Sequence, residues 1–225
     1  GQVAFNEVQL KILKPFIADV RKLDGTLSLA GKINGTLTQP LFDGEMRLKN
    51  GEISMISLPV NLNNVQIYTS IRQDVATING AFNSGRGVGK INGSIDWKND
   101  PHIQLRLNGD KLLIRQAPLI TAVVDTDIEL DALPLSKKLT VKGKVDVPSA
   151  LISMPESSAT VVNVSPDVRI VKEGQNQLAV LKAAQPWSIR ADVSVNLGDK
   201  VIFQGFNSRI PLVGRLYLSQ RGLET

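Results

Sequence analysis

Three stretches of the chain bring chemistry-bearing residue types together. Gly85-Arg86-Gly87-Val88-Gly89-Lys90 has the glycines and the lysine of a phosphate-cradling loop. That loop needs four residues between its glycines and a Ser or Thr after the lysine. Here three residues intervene and Ile91 follows. The stretch also runs into a strand pattern rather than a helix N-terminus, so oriented backbone N–H groups to hold an anion are missing. Asp125-Thr126-Asp127-Ile128-Glu129 has the alternating acids of a calcium loop, yet Leu130 and Ser136 stand where that loop places Gly and a bidentate Glu. His102 is the one histidine and there is no cysteine. A histidine-rich zinc site, a Cys–His pair and a disulfide framework are therefore all excluded. No Gly-x-Ser-x-Gly elbow supplies a nucleophilic serine. The chain reads as a non-enzyme.

The acids have a plainer explanation in the elements that carry them. Asp125, Asp127, Glu129 and Asp131 alternate with Val124, Ile128 and Leu130, as on the wet face of a strand. The same alternation fills most of the sequence. From Leu23 to Leu37 every odd position is Leu, Ile or Gly. Ala122–Leu130 and Leu139–Val147 read as a pair, with Lys138, Lys142 and Lys144 expected to face the acids. Asn79-Gly80 and Asn92-Gly93 keep the apolar residues in phase, so they are read as in-strand. A turn separates their strands at Asn83 to Arg86. Phase flips at Asn50-Gly51 and Asn108-Gly109, and a Gly198-Asp199-Lys200 connection, are read as hairpins. The glycines Gly31 and Gly35 are read as bends within a long strand.

Other expectations are a strand over Val3 to Leu13 with one short helical turn around Pro15 to Val20. An irregular region follows Met154, with a strand at Val161 to Val171 and a mobile loop at 172–186. Trp187 to Leu197, Val201 to Gly205 and Ile210 to Leu218 complete roughly a dozen strands, mainly paired in sequence order.

The chain of 225 residues reads as a single all-β segment, 1–225, of a larger protein. It is 42% hydrophobic but only 4% aromatic, so the dry side is built from Leu, Ile and Val. The charge of +5 is spread and interleaved with acids, the mark of a solvated face rather than of a nucleic-acid footprint. No run reaches the length of a membrane-spanning helix. About thirty aliphatic side chains on one side of a sheet must be covered, since each forfeits ~1.5–3 kcal/mol in water. The covers available are a second sheet, closure into a barrel, or an apolar ligand, and the regular glycines point to strong curvature.

Five stretches in order resemble the TamB family, especially its C-terminal conserved region. They are Gly35-Thr36-Leu37 with Pro40, Gly44, Leu48 and Gly51; Val145-Asp146-Val147-Pro148 with Ala150 and Ile152; Met154-Pro155-Glu156-Ser157; Val164-Ser165-Pro166-Asp167-Val168; and Leu197-Gly198-Asp199-Lys200-Val201 followed by Leu212-x-Gly-x-Leu-x-Leu. The resemblance implies a long curved sheet folded over into a taco-like or open-barrel groove with an apolar concave face. It implies a periplasmic segment of an inner-membrane-anchored protein of a Gram-negative bacterium, partnered by the outer-membrane barrel protein TamA, and it brings no catalytic residues. The family's membrane anchor and extreme C-terminus are not recognised in this stretch, so TamA contact is expected through other regions.

The expected function is a conduit that shields phospholipid acyl chains. The residues expected to line it are Leu27, Leu29, Ile33, Leu37, Met46, Leu48, Ile53, Met55, Ile91, Ile95, Leu105, Leu107, Val141, Val145, Val193, Val195, Phe203, Leu212 and Leu216. An ordinary closed core would use the same side chains. The alternative function is a scaffold that receives nascent outer-membrane strands on a free sheet edge. A carbohydrate-binding β-sandwich is the third reading. No cofactor and no metal is expected.

Overall fold

The computed structural model describes residues 2–16, 20–35, 40–56, 59–98, 100–154 and 187–220. The expected strand at Val161 to Val171, the loop at 172–186 and Leu37 lie outside the described residues. What is described is one 12-stranded sheet. Its strands are β1 (Gln2–Gln9), β2 (Val20–Gly35), β3 (Pro40–Met55), β4 (Asn61–Gln73), β5 (Val75–Ser84), β6 (Gly87–Asp96), β7 (His102–Gln116), β8 (Ile120–Leu133), β9 (Lys138–Ser153), β10 (Ser188–Gly205), β11 (Ser208–Pro211) and β12 (Gly214–Gln220). Neighbours follow chain order from β1 to β10, and β11 and β12 share the far side of β10. All pairs are antiparallel except β9–β10, which is parallel over its whole length. The helical turn is a 3-10 helix at Leu10–Phe16, earlier than expected, and β1 accordingly stops at Gln9.

Register sorts the side chains cleanly. Leu27 faces Leu48, Leu48 faces Ile67, and Ile67 faces Gly80. Gly80 faces Ile91, Ile91 faces Leu107, and Leu107 faces Ile128. Val145 faces Val195, which faces Leu216. Cross-strand partners share a face, so every such row is apolar on one side of the sheet. On the other side Arg47, Tyr68, Asn79, Asn92, Arg106 and Glu129 form an unbroken polar row.

Three expected hairpins are corrected. At Asn50-Gly51 β3 continues, pairing Leu48 with Leu27 and Ile53 with Leu23. At Asn108-Gly109 β7 continues, with Lys111 in the left-handed region (φ 52°) and the register slipping between Gly109 and Leu112. At Gly198-Asp199-Lys200 β10 continues with a slip against β9. Each is a β-bulge. In β3 and β7 the bulge flips the apolar phase just as a two-residue turn does, so alternation alone does not separate the two. Two-residue reversals are found at Gly85-Arg86, as expected, and at Phe206-Asn207, where both residues have positive φ (52° and 56°).

Apart from slips at Phe5/Val8 and Val20/Lys22, the bulges lie at one level. Slips between Asp24 and Thr26, Leu48 and Ile53, Asn63 and Gln66, Gly109 and Leu112, Val123 and Asp125, and Leu197 and Lys200 cross the sheet as a line. The break between β11 and β12 falls on that line too. The cluster of large buried apolar residues, Leu23, Leu48, Val65, Phe82, Leu112, Val124, Val147 and Val201, follows it, and Leu10 of the 3-10 helix joins them. Val201 is 0% exposed. Burial peaks along a fold only when the apolar side is inside, because folding the other way would splay these side chains. The sheet is therefore creased along the bulge line, with its dry face inward. Gly25 makes the crease possible: its φ is +129° and a Cβ there would lie 2.9 Å from Gly51 Cα.

The polar face is held by charge pairs between strands. Arg106 donates to Asp127 from Nε (3.0 Å) and from a terminal nitrogen (2.9 Å), and reaches Glu129 at 3.4 Å. The expected partners Lys144 and Lys142 do stand opposite Asp127 and Glu129 in the register. The acids nonetheless turn to β7, where a planar guanidinium takes a carboxylate in two places, and Lys144 pairs with Asp146 at 2.7 Å. His102 opens β7 rather than sitting in a turn, 2.9 Å from Asp131. The Arg106 hydrogen bonds hold the Asp127 carboxyl below its ordinary range.

Two measurements test this account. Leu48→Ala at the crease should cost ~2–5 kcal/mol in chemical denaturation, whereas Ile33→Ala, at a residue 41% exposed, should cost under about 1 kcal/mol. Equal losses would contradict the crease. A carboxylate with a depressed folded pKa stabilises the fold above its unfolded pKa, and that contribution fades as pH falls through the folded value. Asp127→Asn should thus be less stable than the parent at pH 7, and the two should converge as pH drops below about 4.

Candidate functional site: an apolar trough

The crease divides the sheet into two walls. The long wall holds the greater part of β2 to β4 and of β7 to β10, with all of β5, β6 and β12. The short wall is made of the strand ends beyond the bulges, together with β11. The hairpin β5–β6 ends at the crease, so it contributes nothing to the short wall. There the Arg115 N–H of β7 donates directly to the carbonyl of Pro59, just before β4, at 2.7 Å. Flat, β4 and β7 would stand three strand spacings apart, about 14 Å. The contact across that distance fixes how sharply the short wall is gathered.

Between the walls lies a trough whose inner surface is aliphatic and uncharged among the described residues. Charged neighbours such as Arg106 and Asp127 alternate onto the outer face. Glycines let large side chains lie flat on it: at Gly89 the Phe82 ring occupies the space a Cβ would need. Two inward hydroxyls, Thr69 Oγ1 and Thr126 Oγ1, are buried without a hydrogen-bond partner among the described residues. No second layer of described structure lies over this face, since every strand belongs to the one sheet.

The structure brings the sequence-derived lining residues to this single face, with Leu37 outside the described residues. They do not share one environment. Leu48 is packed in the crease, and Leu27, Ile53, Leu107, Val145, Val195 and Leu212 pack against the same cluster. Leu29, Met46, Met55, Ile91, Ile95, Leu105, Val141, Val193 and Phe203 are partly exposed wall positions. Ile33 (41% exposed) is near the lip of the long wall, and Leu216 (54%) is on the edge strand β12. Sequence reasoning missed the floor of the trough, Leu23, Val65, Phe82, Leu112, Val124, Val147 and Val201. The available signal was the phase flip in β3 and β7, which marks the crease where those strands go on.

Depressions on the polar side have a different character. One of about 610 Å³ is bordered by Gln104, Arg106, Glu129, Asp131, Lys142 and Arg190, with Arg106 paired to Glu129 and Gln104 donating to Asp131. Ser94 and Thr140 border it as well, and no group of three or more metal-ligating side chains is found among the described residues. The largest continuous feature of the described residues is the trough, an aliphatic surface running across a dozen strands.

Comparisons with known proteins agree with that geometry. A family model described as the TamB C-terminal domain matches residues 72–224. The chain is 23% identical over 229 residues to the translocation and assembly module subunit TamB of Haemophilus influenzae, covering 98% of this chain and 18% of that protein. It thus spans under a fifth of the length of this curated relative. No solved structure matches. A folded-over apolar sheet with the family's sequence pattern over more than half its length places this chain in the TamB family.

Proposed function

We propose that this segment is a non-enzymatic conduit in which the trough shields phospholipid acyl chains crossing an aqueous compartment. The observation that carries the reading is the continuous aliphatic inner face, uncharged and without a covering layer among the described residues. Burying acyl carbon gains ~0.8 kcal/mol per methylene, and an aliphatic wall has no directional bonds to hold a chain at one place. A lipid can therefore be retained and still slide. The whole protein would bridge the inner and outer membranes through the periplasm and serve outer-membrane biogenesis. TamA would be its partner, met through regions beyond this chain.

A second reading rests on a separate observation. The sheet has open edges at β1 and at β11–β12, and every residue of β12 is exposed. Such an edge can take an incoming strand by backbone hydrogen bonds, which would make the segment a scaffold for nascent outer-membrane proteins.

Native mass spectrometry of the purified chain tests the conduit. Leu105→Arg, in the middle of the long wall, should leave the melting transition nearly unchanged and reduce co-purified phospholipid by at least about tenfold, because a cation there must be desolvated by the acyl chain. Unchanged lipid content in a folded variant would rule the trough out at that position. The edge reading separates cleanly. The Leu212 N–H bonds Val201 on β10, so alternation turns the Tyr217 N–H to the open side. Tyr217→Pro should abolish crosslinking to an unfolded outer-membrane strand while leaving lipid content intact; preserved crosslinking would exclude this edge.

A further inference from the structure

The part of the short wall built by β7 to β11 differs from the long wall in charge as well as in height, whereas its β2–β3 part carries the Lys22–Glu52 ion pair. Beyond the bulge line, segments 112–123, 149–154 and 200–213 contain Arg115, Lys200 and Arg209 and no Asp or Glu, with Asp199 in the bulge beside Lys200. None of these three cations is in an ion pair among the described residues, whereas the long wall pairs Arg106 with Asp127 and Glu129, and Lys144 with Asp146. The short wall is also apolar where turns are ordinarily polar. Leu119 sits at the turn between β7 and β8, Met154 follows β9, and Phe206, 77% exposed, sits at the turn between β10 and β11. Ile210 and Val213 beside them are exposed as well, and Leu151 is exposed on the wall's outer side. By contrast, the hairpin turn that stops at the crease without reaching a lip carries Arg86.

A notch of about 410 Å³ opens among these side chains. It is bordered by Ser153, Asn207, Ser208 and Arg209, next to Met154. An unpaired guanidinium beside hydroxyl and amide donors is suited to a phosphodiester, which it can meet with two parallel hydrogen bonds.

We propose that the short wall from β7 to β11 is a docking surface for an anionic phospholipid bilayer, with Arg209 and its notch taking one lipid phosphate. Charge decides the occupant. Exposed large apolar side chains combined with cations and no acids are complementary to an anionic interface, where each Lys or Arg near the surface adds to binding. A nucleic acid would call for aromatic stacking positions among the cations, and Phe206 is the one aromatic exposed on this wall. Arg115 and Arg209 stand four strands apart, about 19 Å at the usual spacing, so the surface engages several headgroups together. Docked this way, the trough's rim meets the headgroup layer along the short wall. The proposal does not depend on what fills the trough.

Flotation of the full chain with vesicles tests it. Vesicles of phosphatidylcholine alone are compared with vesicles containing about a third phosphatidylglycerol, at low and moderate salt. The chain should float with the anionic vesicles and much less with the neutral ones. Arg115→Gln/Lys200→Gln/Arg209→Gln should lower the partition by about a hundredfold, with an unchanged melting transition. Phe206→Ser should weaken flotation in the presence of all three cations. The control removes the same charge from the long wall: Lys49→Gln/Lys90→Gln/Lys142→Gln should float like the parent. Equal loss in the control would mean that net charge alone drives adsorption, and would overturn the assignment of the surface. So would parental flotation of the short-wall variant, a parent that ignores vesicle charge, or a parent that binds only a protein.

Discussion

One constraint shapes this molecule: a single sheet must keep a whole aliphatic face from water without a second layer. A flat sheet would leave that face wet, and the described residues form no helix long enough to lie on it. Creasing the sheet along a line of bulges is the remaining solution. It brings the floor residues from Leu23 to Val201 into contact with one another and buries them, while the walls keep partial exposure. Stability is thereby concentrated in a strip, and the surface above it is left free to hold something else. Outer-face charge pairs do a different job, since exposed pairs contribute little each. What they supply is register, the property a long ladder of similar apolar residues specifies least well.

Much of this was legible in the amino-acid order. Strict alternation gave the strands, their faces and the apolar lining, because side-chain direction has a period of two and little else in the chain competes with it. In-strand Asn79-Gly80 and Asn92-Gly93, and the turn at Gly85-Arg86, were readable because phase is kept through the first two and reset at the third. The crease was not readable as such. A bulge at Asn50-Gly51 and a type I′ turn at the same dipeptide impose the same phase flip and favour the same residues. Choosing between them needs the pairing partner, and Leu23 and Leu27 of β2 are brought opposite Ile53 and Leu48 by tertiary pairing alone. The division of the lining into floor, wall and lip was hidden for the same reason. Leu48 and Leu29 are indistinguishable in pattern and differ only in distance from the fold line.

The charge network shows a related limit. Opposed columns of acids and lysines were visible, and the register does align Asp127 with Lys144. Geometry then favoured Arg106, which can meet both carboxylate oxygens at once. Counting charges on a strand identifies its wet face; the shape of the cation selects the partner.

The hairpin β5–β6 has a consequence for form at a larger scale. Between β4 and β7 the long wall contains three strand spacings and the short wall one, closed by the contact of Arg115 with Pro59. The long wall is therefore longer by about two spacings, ~10 Å. Two joined strips of unequal length cannot both be straight. Such a hairpin acts as a wedge that turns the channel's axis toward its short side, and the number and placement of wedges along a longer chain would set the route the channel follows.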